Sequence, residues 1–511
     1  IAIDSHPELI QGQDKKFTTV DALSREIHTI QAWEKGKGNA NPVLNEVAAL
    51  NALESLREVG LNQGQAEAIV GVLSATDRHL IIHGLAGVGK TTALRQLKHL
   101  IEENGSTLTI RGYSPTIKAA KHLGAEMGIE TNTVEHLVLK TVKGTQNELW
   151  IIDEAGMASA RQMEAVLSKA DEIGARILLV GDTNQNHSIE AGSPMKSLMK
   201  YGVTAFNIHE IIRQKDENQK RAVELASSGH GTEALSLLCE HGWVKEIEDC
   251  NARAQAAAQE WLSLSPEDRD DTLIVTGTNA ERLRITECLR WGLREEGNLG
   301  EDHTFKQLVS RQFTDEEKSR AENYSKGDYI RLNWQYKTTP LQKDKLYQVV
   351  GKKEGELLVE TEGGRLYWFD PSKYKDKEVF YEQDIALAVG DRLRWRITNK
   401  EKGQINGTEF TVKAIDGNRL AVIDEKGQLQ IIDASKPLGL DYALVWTAHG
   451  AQGLSKKRVI VSATSGPTSA KEPFYVKISR QKKHIVIFAD NLEKLHKWVS
   501  RSAAQDNPLE M

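Results

Sequence analysis

The chain has 511 residues, 39% hydrophobic and 27% charged, with a formal net charge of −6. This is the composition of a soluble globular protein with several domains, and it excludes coating nucleic acid through bulk positive charge, although a local basic groove would suffice. No apolar run approaches the roughly 18 residues of a membrane span and no charged-then-apolar leader is present, so no membrane segment is expected. The three cysteines, Cys239, Cys250 and Cys288, suit a reducing cytoplasm without a disulfide framework. A first residue Ile1 rather than methionine reads as a fragment of something longer.

In chain order, residues 1–54 read as an accessory segment. Thr18 and Thr19 are candidate caps for a helix through Ala32, followed by a Gly/Asn/Pro loop ending at Pro42. From Leu61 to Lys200, apolar strands at Leu80–His83, Leu108–Tyr113, Leu149–Asp153 and Arg176–Gly181 alternate with helical patterns. That alternation predicts a parallel sheet with helices on both faces, spanning residues 55–200. A second α/β region starts near Val203, includes the strand Thr272–Thr276, and resumes after Leu440 with Ala443–Trp446, Val459–Ser462 and His484–Phe488. Its predicted extent is 201–326 plus 441–500, with 501–511 as a flexible tail.

The interruption, 327–440, is β-rich and repeats itself. Gly327-Asp328 recurs as Gly390-Asp391, and at the same offset Arg331 meets Arg394, Val349 meets Val412, Leu357 meets Leu420 and Asp370 meets Asp433. The maintained register predicts two copies of a small β-barrel-like module, 327–373 and 390–436. Trp334, Tyr336, Trp368, Trp395, Arg394 and Arg396 fall here. Such residues can stack bases and hold phosphates, or fill a barrel core, and at least half are expected to be core.

The segment with the strongest chemical signature is Gly84-Leu85-Ala86-Gly87-Val88-Gly89-Lys90-Thr91, between an apolar strand and a helical pattern. It matches the phosphate-binding loop G-x-x-x-x-G-K-[ST], whose glycines let backbone N–H groups approach phosphates. Lys90 can reach the β- and γ-phosphates of ATP, and the Thr91 hydroxyl can ligate Mg²⁺. Asp153 and Glu154 end an apolar strand, at the sheet edge where ligands bind. Asp153 can hold Mg²⁺ and Glu154 can deprotonate the attacking water. Gln185 follows another strand end and can contact the γ-phosphate or that water. Arg213 and Arg480, remote in sequence, are candidates to neutralise transition-state charge from a facing domain.

The order of these segments resembles the superfamily 1 helicases, and within them the RecD-like branch, superfamily 1B. Leu61–Gln65 resembles the glutamine motif, with Gln65 as adenine reader, and Gly84–Thr92 resembles motif I, adding Gly84, Gly87, Gly89 and Thr92 to the nucleotide site. Ser114–Ala120 resembles motif Ia, with Ile117 in place of the usual glycine. Asp153–Met157, Gly181–Gln185 and Ile212–Gln214 resemble motifs II, III and IV. Thr447–Gly453 resembles motif V without the lysine many relatives carry after the histidine, and Tyr475–Arg480 resembles motif VI. The resemblance narrows to the helicase portion of conjugative relaxases of the TraI/TrwC type, on the Phe17-Thr18-Thr19 segment and the paired Gly-Asp modules. No His-x-His occurs among the 15 histidines, so the nicking site of such relaxases is not carried here.

The resemblance implies two RecA-like domains, with SH3-like modules inserted in the second. It also implies ATP-driven 5′→3′ movement on single-stranded DNA and at single-strand/duplex junctions. The implied strand contacts are Thr116, Lys118 and Thr133 in the first domain and Thr447 and His449 in the second. A strand-separating pin would lie in 138–149, with Lys143-Gly144 as its turn. Implied partners are the relaxase domain of the parent polypeptide and the conjugation and secretion machinery. Other readings are an RNA helicase of the same superfamily, or a non-hydrolysing module that grips single strands or serves as a secretion signal.

Overall fold

The computed structural model describes residues 9–11, 17–139, 146–185, 193–399 and 401–502. The chain folds as two units, residues 1–288 with 445–511, and residues 289–444.

The first unit opens with a short antiparallel pair, β1 (Leu9–Gln11) and β2 (Phe17–Thr19). Helix Val20–Lys35 follows, capped by the Thr19 hydroxyl, which accepts from the Ala22 amide at 3.1 Å. This helix is no detached accessory. Its Trp33 is buried against the His79 ring, and its buried Glu26 accepts from the Ser197 hydroxyl. Leu44, Ala52 and Leu56 join the same core as the helix after the phosphate loop. The expected boundary at residue 55 therefore cuts through a packed body.

The first parallel sheet comprises β3 (His79–Gly84), β4 (Thr109–Ser114), β5 (Glu130–Thr133), β6 (Glu148–Asp153), β7 (Arg176–Gly181) and β8 (Ala205–Ile208), in the order β5-β4-β6-β7-β3-β8. All six residues of β3 are buried, as the continuous apolar run of a doubly covered strand requires. Because β8 pairs with β3, the first lobe extends past the expected end at residue 200. Of the expected pin, residues 138 and 139 end the helix Val134–Leu139, while the turn Lys143-Gly144 lies outside the described residues.

The second lobe contributes β9 (Val244–Glu246) and β10 (Thr272–Thr276) before the chain enters the second unit. That unit contains β11 (His303–Ser310), β12 (Tyr329–Leu332), β13 (Leu346–Lys353), β14 (Glu356–Glu360), β15 (Leu366–Phe369) and β16 (Lys377–Leu387). It continues with β17 (Arg392–Trp395), β18 (Glu409–Asp416), β19 (Arg419–Asp424), β20 (Leu429–Asp433) and β21 (Leu440–Tyr442). The chain then returns as β22 (Val445–Thr447), β23 (Lys456–Ala463) and β24 (Gln481–Ala489), which complete a second parallel sheet, β22-β10-β23-β24-β9. Two parallel sheets with covering helices are the layout of RecA-like P-loop domains. Of the expected tail, residues 501 and 502 are described, and the Ser502 hydroxyl donates to Glu472 at 2.6 Å.

The inserted unit begins at Leu289, earlier than the expected residue 327, because β11 pairs along its whole length with β16. The two stretches share a hydrogen-bonding pattern. The order β16-β12-β13-β14-β15 in one sheet matches β21-β17-β18-β19-β20 in the other, and both copies carry an irregularity at equivalent places, Val349/Gly351 and Val412/Ala414. These pairings form open sequences rather than rings. Each copy has its own core, around Ile330, Val349 and Leu357 in the first and Leu393, Val412 and Leu420 in the second.

The repeated Gly-Asp turns have a common purpose. Gly327 and Gly390 adopt φ of 95° and 100°, and the aspartates after them are buried. Asp328 accepts from the Ser325 amide and Arg311; Asp391 accepts from the Ala388 amide and Arg290. Each turn thus fastens an arginine from outside its sheet's repeated strands. Removing one partner of a buried pair leaves an uncompensated charge. Asp391→Ala removes both hydrogen bonds that the buried Arg290 makes to Asp391 and leaves it only the more exposed Asp302, and is expected to destabilise the unit by about 3 kcal/mol in urea unfolding. Asp328→Ala, opposite the half-exposed Arg311, should cost only about 1 kcal/mol.

Candidate nucleotide site and strand contacts

The phosphate loop follows β3 and runs directly into helix Lys90–Glu103, so its amides converge at a helix N-terminus. Gly87 and Gly89 have φ of 86° and 75°, a region costly for any residue with a Cβ. Space reinforces the requirement. A Cβ on Gly87 would lie 2.6 Å from Arg213 Cβ, and one on Gly89 2.5 Å from Gln65 Nε2. The Lys90 ammonium lies back over the loop, donating to the Gly84 and Leu85 carbonyls at 2.7 and 3.1 Å. Thr91 and Thr92 occupy the first turn of the helix.

Gln65 sits beneath this loop, buried. Its Oε1 accepts from the Asn62 amide at 3.1 Å in a capping box, and its Nε2 donates to the Val88 carbonyl at 2.8 Å. The expected adenine-reading amide is therefore engaged at both ends by protein, and in this conformation it braces the loop. Gln65→Glu would set an acceptor against the Val88 carbonyl, and should lower stability by about 2 kcal/mol in thermal or urea unfolding.

Strand order places β7 between β3 and β6, so Gly181 and Asp182 lie next to the phosphate loop, with Asp153 one strand further. Asp153 accepts from the Glu154 amide at 2.9 Å. Glu154 has φ of 54°, an uncommon conformation for a side-chain-bearing residue. Burial, then the neighbouring Glu154 charge, push the Asp153 carboxyl up to about 7 from 3.8, opposed by Lys90. The folded state thus favours the protonated form, so metal-free protein should lose stability as pH rises from about 4 to about 7. Asp153→Asn should flatten that slope in urea titrations across the interval.

Two arginines meet this edge, Arg213 from the segment leaving the first sheet and Arg480 from the second lobe. Arg213 Nη1 donates to the Ser479 carbonyl at 2.8 Å, while the Ile212 and Arg213 amides both donate to the Gly87 carbonyl. Arg480 Nη2 donates to Gln185 Oε1 at 3.1 Å, and Gln185 Nε2 donates to Asp182 at 3.1 Å. Burial, then repulsion from Arg480, bring Arg213 down to about 10; burial also lowers Arg480, and attraction to Glu154 opposes both shifts. The structure thus brings together Lys90, Glu154, Gln185, Arg213 and Arg480 from both lobes.

Sequence reasoning missed two participants. The buried Tyr475 hydroxyl accepts from the Ala86 amide and donates to Asp182 Oδ2, each at 2.7 Å. Both residues lay inside segments recognised as motifs, but no spacing rule brings residues 182 and 475 into contact.

The expected strand contacts lie at the ends of strands of both sheets or just beyond them, with Thr116 capping the helix that carries Lys118. The Thr116, Thr133 and Thr447 hydroxyls each accept from a backbone amide, of Ala119, His136 and Gly450 respectively. A hydroxyl that accepts in this way still has its proton to donate to a phosphate. Lys118 Nζ lies 4.9 Å from the Trp446 ring centre, joining the two lobes, and His449 is exposed beyond it. Among the inserted-unit residues, Trp395 and Arg394 are buried and Tyr336 packs edge-on to Tyr374, whereas Trp334 and Trp368 are exposed.

The family model described as "AAA domain" matches residues 60–249. The multifunctional conjugation protein TraI of Escherichia coli K12 is 24% identical over 514 residues, covering 87% of this chain and 28% of that protein. The ATP-dependent RecD2 DNA helicase of Deinococcus radiodurans is 31% identical over 167 residues, covering 31% of this chain and 22% of the relative. A crystal structure of Pif1 helicase from Bacteroides in complex with ADP-AlF3 and single-stranded DNA aligns with a TM-score of 0.48 at 15% identity, over 85% of this chain and 94% of that one. The chain spans less than a third of the length of the TraI relatives it matches. Together the sequence similarities relate the chain to the RecD-like, superfamily 1B DNA helicases, an ATP-hydrolysing class, and to the TraI conjugation proteins.

Proposed function

We propose that this chain, a relative of the RecD-like superfamily 1B helicases and of TraI, is an ATP-driven motor moving 5′→3′ along single-stranded DNA, and that it serves as the helicase part of a conjugative relaxase. The observation that carries the reading is the hydrogen-bonded path from the Ala86 amide through Tyr475, Asp182 and Gln185 to Arg480. It crosses between two parallel-sheet lobes at the phosphate loop, which a nucleotide site confined to one lobe would not require.

Lys90 and the loop amides would hold the phosphates of ATP, with Glu154 taking the proton of the attacking water and Gln185 orienting it. Arg213 and Arg480 would offset charge that develops on the phosphoryl oxygens. Thr91 and Asp153 offer hard oxygen ligands, the class preferred by Mg²⁺, and a buried carboxyl raised to about 7 would be returned to its ionised form by a cation beside it. Mg²⁺ would supply charge neutralisation at the phosphates.

Thr116, Lys118, Thr133, Thr447 and His449 would contact the strand backbone, so that movement tolerates any base sequence. The polarity, the conjugative role and a relaxase domain elsewhere in the parent polypeptide rest on the similarity to TraI and RecD2. The inserted copies are read as two SH3-like modules; their shared strand order and separate cores support the duplication.

The test is ATP hydrolysis with and without single-stranded DNA or RNA, beside unwinding of 5′- and 3′-tailed duplexes. Strand-stimulated hydrolysis and unwinding of the 5′-tailed DNA substrate are expected. Glu154→Gln should retain ATP binding and lose at least about 100-fold in turnover, and Lys90→Ala should lose both activities. Absence of strand stimulation in the unmodified chain would favour a non-hydrolysing binding module, and preference for the 3′ tail would overturn the polarity.

A further inference from the structure

The bonding of Tyr475 is directional, and its direction has a consequence for nucleotide binding. The hydroxyl donates its proton to Asp182 Oδ2, the two oxygens 2.7 Å apart, so the phenolic oxygen faces the phosphate loop with lone pairs only. One of these accepts the Ala86 N–H at 2.7 Å. Ala86 belongs to the loop whose amides form the phosphate cradle, and its single N–H cannot serve two acceptors at full strength. A phosphate oxygen brought onto that N–H would also meet the electron-rich side of the Tyr475 oxygen. Burial and the Asp182 charge raise the phenol well above its usual range, so it remains a neutral hydroxyl.

Two further features show that this arrangement is built rather than incidental. Tyr475 lies on the helix Lys471–Ile478, which is immediately followed by Ser479 and Arg480, the residues that meet Arg213 and Gln185. Asp182 accepts simultaneously from Tyr475 and Gln185, so the tyrosine and the amide share one anchor. Lys90 meanwhile bonds the loop's own carbonyls, so its ammonium is also held by the protein in this conformation.

We propose that Tyr475 is a positioning residue that acts as a latch: its hydroxyl occupies the Ala86 amide in competition with nucleotide phosphate, and phosphate binding releases it to re-set the Asp182–Gln185–Arg480 path. This rests on the ATP-driven reading above and adds a sign to it. A tyrosine that helped bind phosphate would weaken binding when removed, whereas a competing latch strengthens binding when removed while uncoupling turnover from the strand.

The test uses the full chain and Tyr475→Phe, which deletes only the hydroxyl. Titration with a fluorescent ATP analogue without DNA should show binding about three- to tenfold tighter than the unmodified protein, the range of one lost competing hydrogen bond. In steady-state hydrolysis KM for ATP should fall, and kcat in the presence of single-stranded DNA should fall with it, because the Asp182–Gln185–Arg480 path has lost its link to the phosphate loop. Simple structural damage moves KM the other way. Asp182→Asn, whose neutral amide holds the phenolic proton less strongly, should shift binding in the same direction by a smaller factor and replaces Tyr475→Phe as the readout if that variant does not fold. Unchanged or weaker analogue binding in a variant with a normal melting curve overturns the latch. A chain that binds the analogue but shows no strand-stimulated hydrolysis defeats the motor reading instead, and the binding titration still decides the latch.

Discussion

Everything at the nucleotide site depends on how the phosphate loop is held from outside. A loop with two left-handed glycines has no regular secondary structure to pair its carbonyls and amides, and buried backbone groups must find partners elsewhere. Here they do so in distant stretches of chain. Gln65 takes the Val88 carbonyl, Ile212 and Arg213 take the Gly87 carbonyl, and Tyr475 takes the Ala86 amide. The same bonds that satisfy the loop therefore tie it to the glutamine helix, to the segment leaving the first sheet, and to the last helix before β24. A displacement of any of the three is felt at the loop without intermediate machinery.

Charge is arranged with the same economy. Burial lowers both the Arg213 and the Arg480 guanidinium below the ordinary range, and at Arg213 the neighbouring Arg480 charge adds to it. They persist because Ser479, Val476 and Gln185 accept their N–H groups and because Glu154 draws both. The result is a positively charged site facing a carboxylate pair, at the C-terminal edge of a parallel sheet, which is where anionic ligands gather in α/β folds. Such pre-placed charge needs little rearrangement when negative charge develops, and that is the main lever available for phosphoryl transfer.

The inserted unit follows a separate logic. Two copies of a five-stranded order are fastened by buried Gly-Asp turns that each grip an arginine, Arg311 in one and Arg290 in the other. The long strand β16 serves both, giving Val379 to the first core and Ile385 and Leu387 to the second. Its aromatic residues divide accordingly: Trp395 fills a core, while Trp334 and Trp368 stand on the surface with Lys343 and Lys353 over their rings.

What local chemistry dictates is legible along the chain. The glycines at 87 and 89, the buried runs of β3, β6 and β7, the Thr19 cap and the 63-residue offset between Gly327 and Gly390 are written in short stretches of chain, and all appear in the fold. Domain limits were less legible, since the membership of β8 and β11 is set by the strand each pairs with rather than by its own composition. The partners of side chains were least legible. Gln65 and Tyr475 could be placed in motifs, but that one braces Val88 follows from how the first lobe folds, and that the other joins Ala86 to Asp182 follows from packing two lobes together. Hydrogen bonds between side chains and backbone outside regular elements carry no periodicity or spacing, so the tertiary structure alone decided what holds the phosphate loop.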